Sequence, residues 1–343
     1  MLREDLNKLP AYVPGKRQVN ALKLSSNEVT GGPLPSVVAA MNDVAVGVNR
    51  YPDFGAEEIR EVLAGHLGVT QAQVAVGVGS SALCQQLVQI TCQPGDEVVF
   101  PWRSFEAYPI FTQVVGATPV AVPLDAQLKN DLSAMAAAIT PATKLVFVCN
   151  PNNPTGTTIG TAAFEEFMSA VPDNVLVALD EAYFEYNDAA DTPNAALLVH
   201  KYPNLVGLRT FSTAYGLAGL RIGYAFGSEK VIEALNKVAL PFGVNSMAQA
   251  AALASLAATD ELQQRAELLN SERTRVTEAL AELGAVPSKA NFIWLPGKHL
   301  AAPLAEQGIL VREFPEGTRI TITTAEEMDR LIEACSTLDL TDN

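Results

Sequence analysis

Basic residues are scarce. The 343-residue chain holds 23 Lys and Arg against 38 Asp and Glu, a formal net charge of -15. That balance argues against a nucleic-acid or anionic-membrane surface, where cations cluster. It still allows a local basic pocket for a small anion. Histidine is nearly absent. His66, His200 and His299 lie in no catalytic constellation, and no Ser-His-Asp or metal-ligand pattern appears. Cysteine is also sparse. Cys84, Cys92, Cys149 and Cys335 lack metal-type spacing. Their apolar settings predict buried free thiols, which suits a reducing cytoplasm. No segment reaches the roughly 18 uninterrupted apolar residues of a membrane span. The start, Met1-Leu2-Arg3-Glu4-Asp5, is charged where a signal peptide needs an apolar run. Repeats and low-complexity tracts are missing. So is any lysine between Lys201 and Lys230.

What is present supports a large core. Apolar residues make up 48% of the chain, and the length suits two domains. Short apolar runs alternate with helical patterns from about residue 55 to 230. The runs Val74–Gly79, Glu97–Pro101, Thr118–Leu124, Lys144–Asn150, Val175–Asp180, Leu205–Phe211 and Arg221–Gly227 read as strands. Several are continuous rather than alternating, as in a sheet covered on both faces. Helical stretches such as Ala56–Leu67, Ser81–Thr91 and Thr161–Ala170 separate them. This order implies a mostly parallel α/β sheet with functional loops at the carboxyl ends of its strands. Beyond 230 the pattern becomes mainly helical, with short strands at Asn291–Leu295 and Thr318–Thr323 and a closing helix at Glu326–Ser336. The expected division is a loop-rich arm over 1–35, a large domain over 36–230 and a smaller α+β domain over 231–343.

Three strings stand where such loops belong. Asn150-Pro151-Asn152-Asn153-Pro154-Thr155-Gly156 follows a strand, and its prolines and glycine fix a rigid turn that presents Asn153. Alone it could be an ordinary Asn/Pro turn. Asp180-Glu181-Ala182-Tyr183 ends the next strand, where a carboxylate could equally be a helix cap or a metal ligand. Gly79-Ser80-Ser81-Ala82 joins a strand to a helix. Its free N–H groups and the helix dipole suit an anion, although such a string is usually just a cap.

Together with Leu83-Cys84-Gln85-Gln86-Leu87-Val88-Gln89, the string from Phe100 to Tyr108, and the run Thr210-Phe211-Ser212-Thr213-Ala214-Tyr215-Gly216-Leu217-Ala218-Gly219-Leu220-Arg221-Ile222-Gly223-Tyr224, these strings resemble one family. It is the class-II aminotransferases of fold type I, which use pyridoxal 5'-phosphate (PLP). The likeness runs from Tyr12-Val13-Pro14-Gly15 to about Thr324. It lies in the histidinol-phosphate aminotransferase branch, near the actinobacterial aromatic (phenylalanine) aminotransferases. It implies an α/β fold whose large domain carries a mostly parallel seven-stranded sheet. It also implies a homodimer, with the arm lying over the small domain and the partner.

The resemblance also implies roles. Asn153 and Tyr183 would meet the phenolic oxygen of PLP. Asp180 would face the pyridine nitrogen, where an anion keeps the ring protonated and electron-withdrawing. Ser80, Ser81, Ser212 and Arg221 would hold the phosphate, and a forked guanidinium suits that dianion. Phe105 would stack on the ring, unless it is a core aromatic. Tyr51 would reach the partner subunit's phosphate, unless it is a surface residue in a proline turn. Arg319 would pair with the substrate α-carboxylate; the other reading is a solvated edge-strand arginine. Arg312 could be a second site arginine or a structural ion pair, and Asn27 would border the substrate.

Thr213 departs from the pattern. In the family this position is the lysine that binds PLP as a Schiff base and then carries the proton at the substrate Cα. A threonine hydroxyl does neither, and Ser212 and Tyr215 cannot replace the amine. Three readings stay open: a replacement that traps a complex, a natural protein that binds without turnover, and a variant in which another amine acts poorly. The intact surroundings favour a recent or deliberate loss. The implied reaction passes an amino group between an aromatic amino acid and 2-oxoglutarate through pyridoxamine phosphate (PMP), and in this chain it would be crippled. The alternatives are a histidinol-phosphate aminotransferase, which needs a second anion site (Tyr12, Lys16 or Arg17), and a non-catalytic PLP- or PMP-binding protein. A related PLP decarboxylase also fits the motifs.

Overall fold

A computed structural model describes residues 18–338 together with Asn7 and Leu9. Tyr12, Lys16 and Arg17 lie outside the described residues, as does the string Tyr12-Val13-Pro14-Gly15. The strands in chain order are β1 (Leu22–Lys23), β2 (Val74–Gly77), β3 (Glu97–Trp102), β4 (Thr118–Pro123), β5 (Thr143–Cys149) and β6 (Leu176–Asp180). They continue with β7 (Leu205–Thr210), β8 (Gly223–Gly227), β9 (Phe292–Pro296), β10 (Ile309–Leu310), β11 (Arg312–Phe314) and β12 (Gly317–Thr321). A seven-stranded sheet runs in the order β2-β8-β7-β6-β5-β3-β4. Only β8 is antiparallel to its neighbours. The seven strands coincide with the seven apolar runs to within two residues at each end.

The runs are continuous because both faces of this sheet are buried. On one face Val99, Val146, Val148, Val177 and Leu179 join Ile59, Leu63 and Phe164 in a single core. On the other, Val98, Phe100, Leu145, Phe147, Ala178 and Leu208 join Leu83, Leu87 and Val88. Successive side chains therefore enter different cores, as the pleat requires. The helix Ser80–Thr91 shows why its sequence folds this way: Leu83, Cys84, Leu87 and Val88 share one face and are its buried residues.

The second body holds the antiparallel sheet β11-β12-β9 and the parallel pair β1-β10. Leu22, Leu24, Ile293, Leu295, Ile320 and Leu331 fill its core. The chain after residue 18 thus enters as a strand of this smaller body before it builds the large one. The boundary expected at 230/231 does not coincide with the packing. Ile232 and Leu235 of the helix Glu229–Val238 belong to the core around Leu83 and Leu87. Ala248, Ala251, Ala252 and Leu256 of the helix Ser246–Ala257 belong to the core around Ile59 and Leu63. Both helices cover the large sheet, and the change of body falls along the helix Thr259–Ala279. An apolar helix face does not declare which sheet it will meet.

Parallel pairing aligns the functional ends. Cys149 on β5 is level with Asp180 on β6, and Asp180 is level with Leu208 on β7. The loops beginning at Asn150, Glu181 and Phe211 therefore open at one edge of the sheet.

Candidate active site

Two adjoining chambers lie at that edge. The inner one, about 170 Å³, is lined by Ser80, Ser81, Asp180, Thr210 and Arg221 among others. The outer one, about 180 Å³, is lined by Asn27, Glu106, Arg312, Phe314 and Arg319 among others. Phe105, Asn153, Tyr183, Ser212 and Thr213 line both. Apart from Tyr51, every described residue that the resemblance assigns to the cofactor or substrate lines one or both chambers.

One part of the inner chamber is an anion cradle. The helix Ser80–Thr91 begins there and presents its free N–H groups. Arg221 Nη2 donates to Ser81 Oγ at 3.3 Å, and Nη1 donates to Ser212 Oγ at 3.4 Å and to the Ala218 carbonyl at 3.1 Å. Arg221 holds a left-handed backbone at φ +57°, a conformation that is uncommon outside glycine. Gly79 holds φ +79° and ψ 159°, a backbone conformation that side chains rarely adopt, and a Cβ there would also push the Arg221 guanidinium aside. A Cβ on Gly223 would stand 2.5 Å from the Ser80 backbone nitrogen. Each glycine keeps the cradle open.

Asp180, 4% exposed, terminates β6 in the same chamber. Its Oδ2 accepts a 2.6 Å hydrogen bond from Tyr108, while its Oδ1 is buried with no hydrogen-bond partner among the described residues. Burial pushes its carboxyl up to about 6, against the pull of the Tyr108 hydrogen bond. The Tyr108 ring stacks on Phe147 with centroids 4.3 Å apart and meets the Phe105 ring edge-on at 5.4 Å. Tyr108 went unassigned in the sequence. Its position three residues after Phe105, at the start of the helix Ala107–Val114, is the signal that could have flagged it.

Tyr183 accepts from Asn27 Nδ2 at 2.9 Å, which leaves its own hydroxyl proton to donate. Burial holds that hydroxyl well above the usual tyrosine range, so it stays protonated. Asn27 is fixed by Thr321, which donates to its Oδ1 at 3.1 Å, and by Asn291, which donates to its carbonyl at 3.0 Å. None of these supports has a local sequence signature, because each partner lies more than 150 residues away.

Arg319 on β12 is 7% exposed, so the reading as a solvated edge arginine does not hold. It donates to Asn153 Oδ1 at 2.6 Å and to the Ser25 carbonyl at 2.8 Å. Arg312 lines the outer chamber and also pairs with Glu106 at 2.7 Å, so both readings of it apply. Thr213 sits where the chambers meet. Its Oγ1 donates to the Ala182 carbonyl at 2.9 Å. Tyr51 is 83% exposed, meets the Phe242 ring at a tilt with centroids 4.7 Å apart and lines neither chamber. Of the cysteines, Cys84, Cys149 and Cys335 are buried and free, whereas Cys92 is only half-buried.

The site can hold a flat, cationic, phosphate-bearing molecule beside a carboxylate-bearing one. Known proteins show the same arrangement of chain. Residues 19–335 match the family model described as aminotransferase class I and II. The aromatic amino acid aminotransferase of Corynebacterium glutamicum is 62% identical over 337 residues, covering 97% of this chain and 98% of that protein. The aromatic amino acid aminotransferase of Rhodococcus jostii is 55% identical, covering 96% and 94%. Histidinol-phosphate aminotransferase from Sinorhizobium meliloti, solved with pyridoxal-5'-phosphate, superimposes with a TM-score of 0.85 at 30% identity, covering 92% and 89%. A fold type I sheet with its loops converging on one edge, and a family match across nearly the whole length, make this chain a member of the class I and II aminotransferases.

Proposed function

We propose that the chain binds PLP or PMP non-covalently in the inner chamber and is an aromatic amino acid aminotransferase crippled by Thr213. The observation that carries the reading is Asp180 Oδ1, a buried carboxylate oxygen without a partner. Leaving it so costs about 1–3 kcal/mol or more, and a ring N–H⁺ would relieve it. The open cradle at Gly79 and Gly223 fits the phosphate of the same molecule. When bound, the cofactor supplies an electron-withdrawing ring that stabilises negative charge at the substrate Cα.

The protein's own groups then have distinct tasks. Arg221, Ser81, Ser212 and the amides at Ser80 bind the phosphate. Asp180, steadied by Tyr108, keeps the ring nitrogen protonated. Phe105 covers the ring, and Tyr51 of a second subunit would complete the phosphate site. Tyr183, its hydroxyl still protonated, and the Asn153 amide would hydrogen-bond the phenolic oxygen. Arg319 exchanges its contacts with Asn153 and Ser25 for the α-carboxylate, and Asn27 holds Tyr183 beside it. At Thr213 the hydroxyl proton is committed to Ala182, and among the described residues no lysine lines either chamber to take the Cα proton.

The aromatic preference rests on Phe105, Phe314 and Tyr183 in the outer chamber and on the names of the 52–62% identical relatives. Arg312 is paired with Glu106 and so offers histidinol phosphate, named for the structural neighbour, no ready second anion site; the candidates Tyr12, Lys16 and Arg17 lie outside the described residues. Tyr51, Phe54, Leu240 and Phe242 form an exposed apolar cluster, which supports a homodimer. Free cysteines support a reducing cytoplasm. Among the described residues no helix is long and apolar enough to cross a membrane.

The test is equilibrium titration with PLP and with PMP, followed by borohydride and intact mass. Saturable binding with no mass added to the chain is expected, and weaker binding in Asp180→Asn. A PLP adduct on a specific lysine would refute the proposal.

A further inference from the structure

A third cavity, about 340 Å³, lies between the segment Phe184–Asp188 and the helices Ser246–Ala257 and Thr259–Ala279. It shares no lining residue with the two chambers. Its volume falls within the range of small-molecule sites. Tyr215, Tyr224, Leu256, Leu262 and Ala266 give it a largely apolar wall.

Two oxygen atoms in this lining lack hydrogen-bond partners among the described residues. Ser255 is 0% exposed, and its Oγ has none. Glu185 Oε2 is shielded from water and also has none. Buried polar groups are nearly always paired, so two together in one cavity point to a missing occupant. A carboxylate and a hydroxyl ask for a donor with positive charge. Arg209, the permanent cation in the wall, eases the Glu185 charge from nearby but donates no hydrogen bond to Oε2. Arg209 already pairs with Glu181 at 2.9 Å, donates to Asn194 at 2.9 Å and lies over the Phe184 ring. Arg273 and Lys289 are likewise held by Asp188.

We infer that this cavity is a second ligand site, for a protonated primary amine carrying an apolar body of single-ring size. The ammonium would donate to Glu185 and Ser255, and the tyrosine faces would favour its charge. Burial pushes the Glu185 carboxyl up to about 7 against the opposing charge of Arg209, and an ammonium hydrogen-bonded to Oε2 would further favour the ionised form. With Arg209 engaged, the α-carboxylate of an amino acid finds no free permanent cation in this wall, so the site prefers amines to the zwitterions that the outer chamber takes. The inference does not depend on cofactor binding.

The experiment is calorimetric titration of the full-length protein, without added cofactor, with 2-phenylethylamine. The expected result is saturable one-to-one binding, weakened about tenfold or more in Glu185→Gln. Gln263→Trp, at the exposed rim of the cavity, should block it. Phe105→Ala, in the active-site chambers, should leave it within about twofold. If Glu185→Gln does not fold, Gln263→Trp decides. Absence of saturation up to about 10 mM amine would overturn the inference. So would binding lost in Phe105→Ala and retained in Glu185→Gln and Gln263→Trp.

Discussion

Asp180 shows at the scale of one residue how function is stored as instability. Its carboxyl is pushed up to about 6 from an ordinary 3.8, so the folded, cofactor-free protein holds this proton more tightly than the unfolded chain. Stability from this group is therefore highest below about pH 4 and falls as the pH rises to about 6. Above that it stays lower by about 3 kcal/mol. Asp180→Asn removes the cost. Without cofactor, its melting temperature should exceed the wild type's at pH 8 and match it near pH 4, while its PLP affinity drops. Equal melting curves at pH 8 would show that the carboxylate is not strained as described. Arg319 makes the complementary case. Arg319→Ala in the Thr213→Lys background should raise KM for phenylalanine and slow turnover, because one guanidinium serves the α-carboxylate. Unchanged steady-state kinetics would remove it from that role.

At the scale of elements, the cradle depends on absent side chains. Gly223→Ala drives a Cβ against the Ser80 nitrogen, which begins a helix and cannot swing aside. It should cost about 1–3 kcal/mol and weaken phosphate-bearing ligands. Gly219→Ala meets nothing within 4 Å and should leave both nearly unchanged; denaturant melts and PLP titration of the two variants make the comparison. Such elements were legible in the sequence to different degrees. The strands of the large sheet showed clearly because burial on both faces makes each a short apolar block between turn residues. The Asn150–Gly156 and Gly79–Ala82 strings showed because turns and caps write their chemistry locally. β1, β10 and β11, two or three residues long, leave no pattern of their own. The helices Glu229–Val238 and Ser246–Ala257 were legible as helices, yet not in their allegiance to the large sheet. The contacts of Tyr108 with Asp180 and of Thr321 with Asn27 exist only once distant segments meet.

At the scale of the whole molecule, the apolar cluster of Tyr51, Phe54, Leu240 and Phe242 is exposed in one chain. Leu240, 68% exposed, makes the sharpest probe. Sedimentation should show a dimer, and Leu240→Asp should shift it toward monomer with a parallel loss of cofactor affinity, since Tyr51 would complete the partner's site. A monomer with full affinity would contradict that arrangement. The proposed function requires an aminotransferase site that lacks only the amine at position 213. Its most direct test is the turnover of phenylalanine with 2-oxoglutarate by Thr213→Lys beside the unaltered chain. Restoring the amine should raise the rate by at least about 10² to 10⁴, with phenylalanine or tyrosine preferred over histidinol phosphate. A Thr213→Lys protein that binds PLP covalently and stays inert toward every amino donor would contradict it, and would make the chain a binding protein built on an aminotransferase fold.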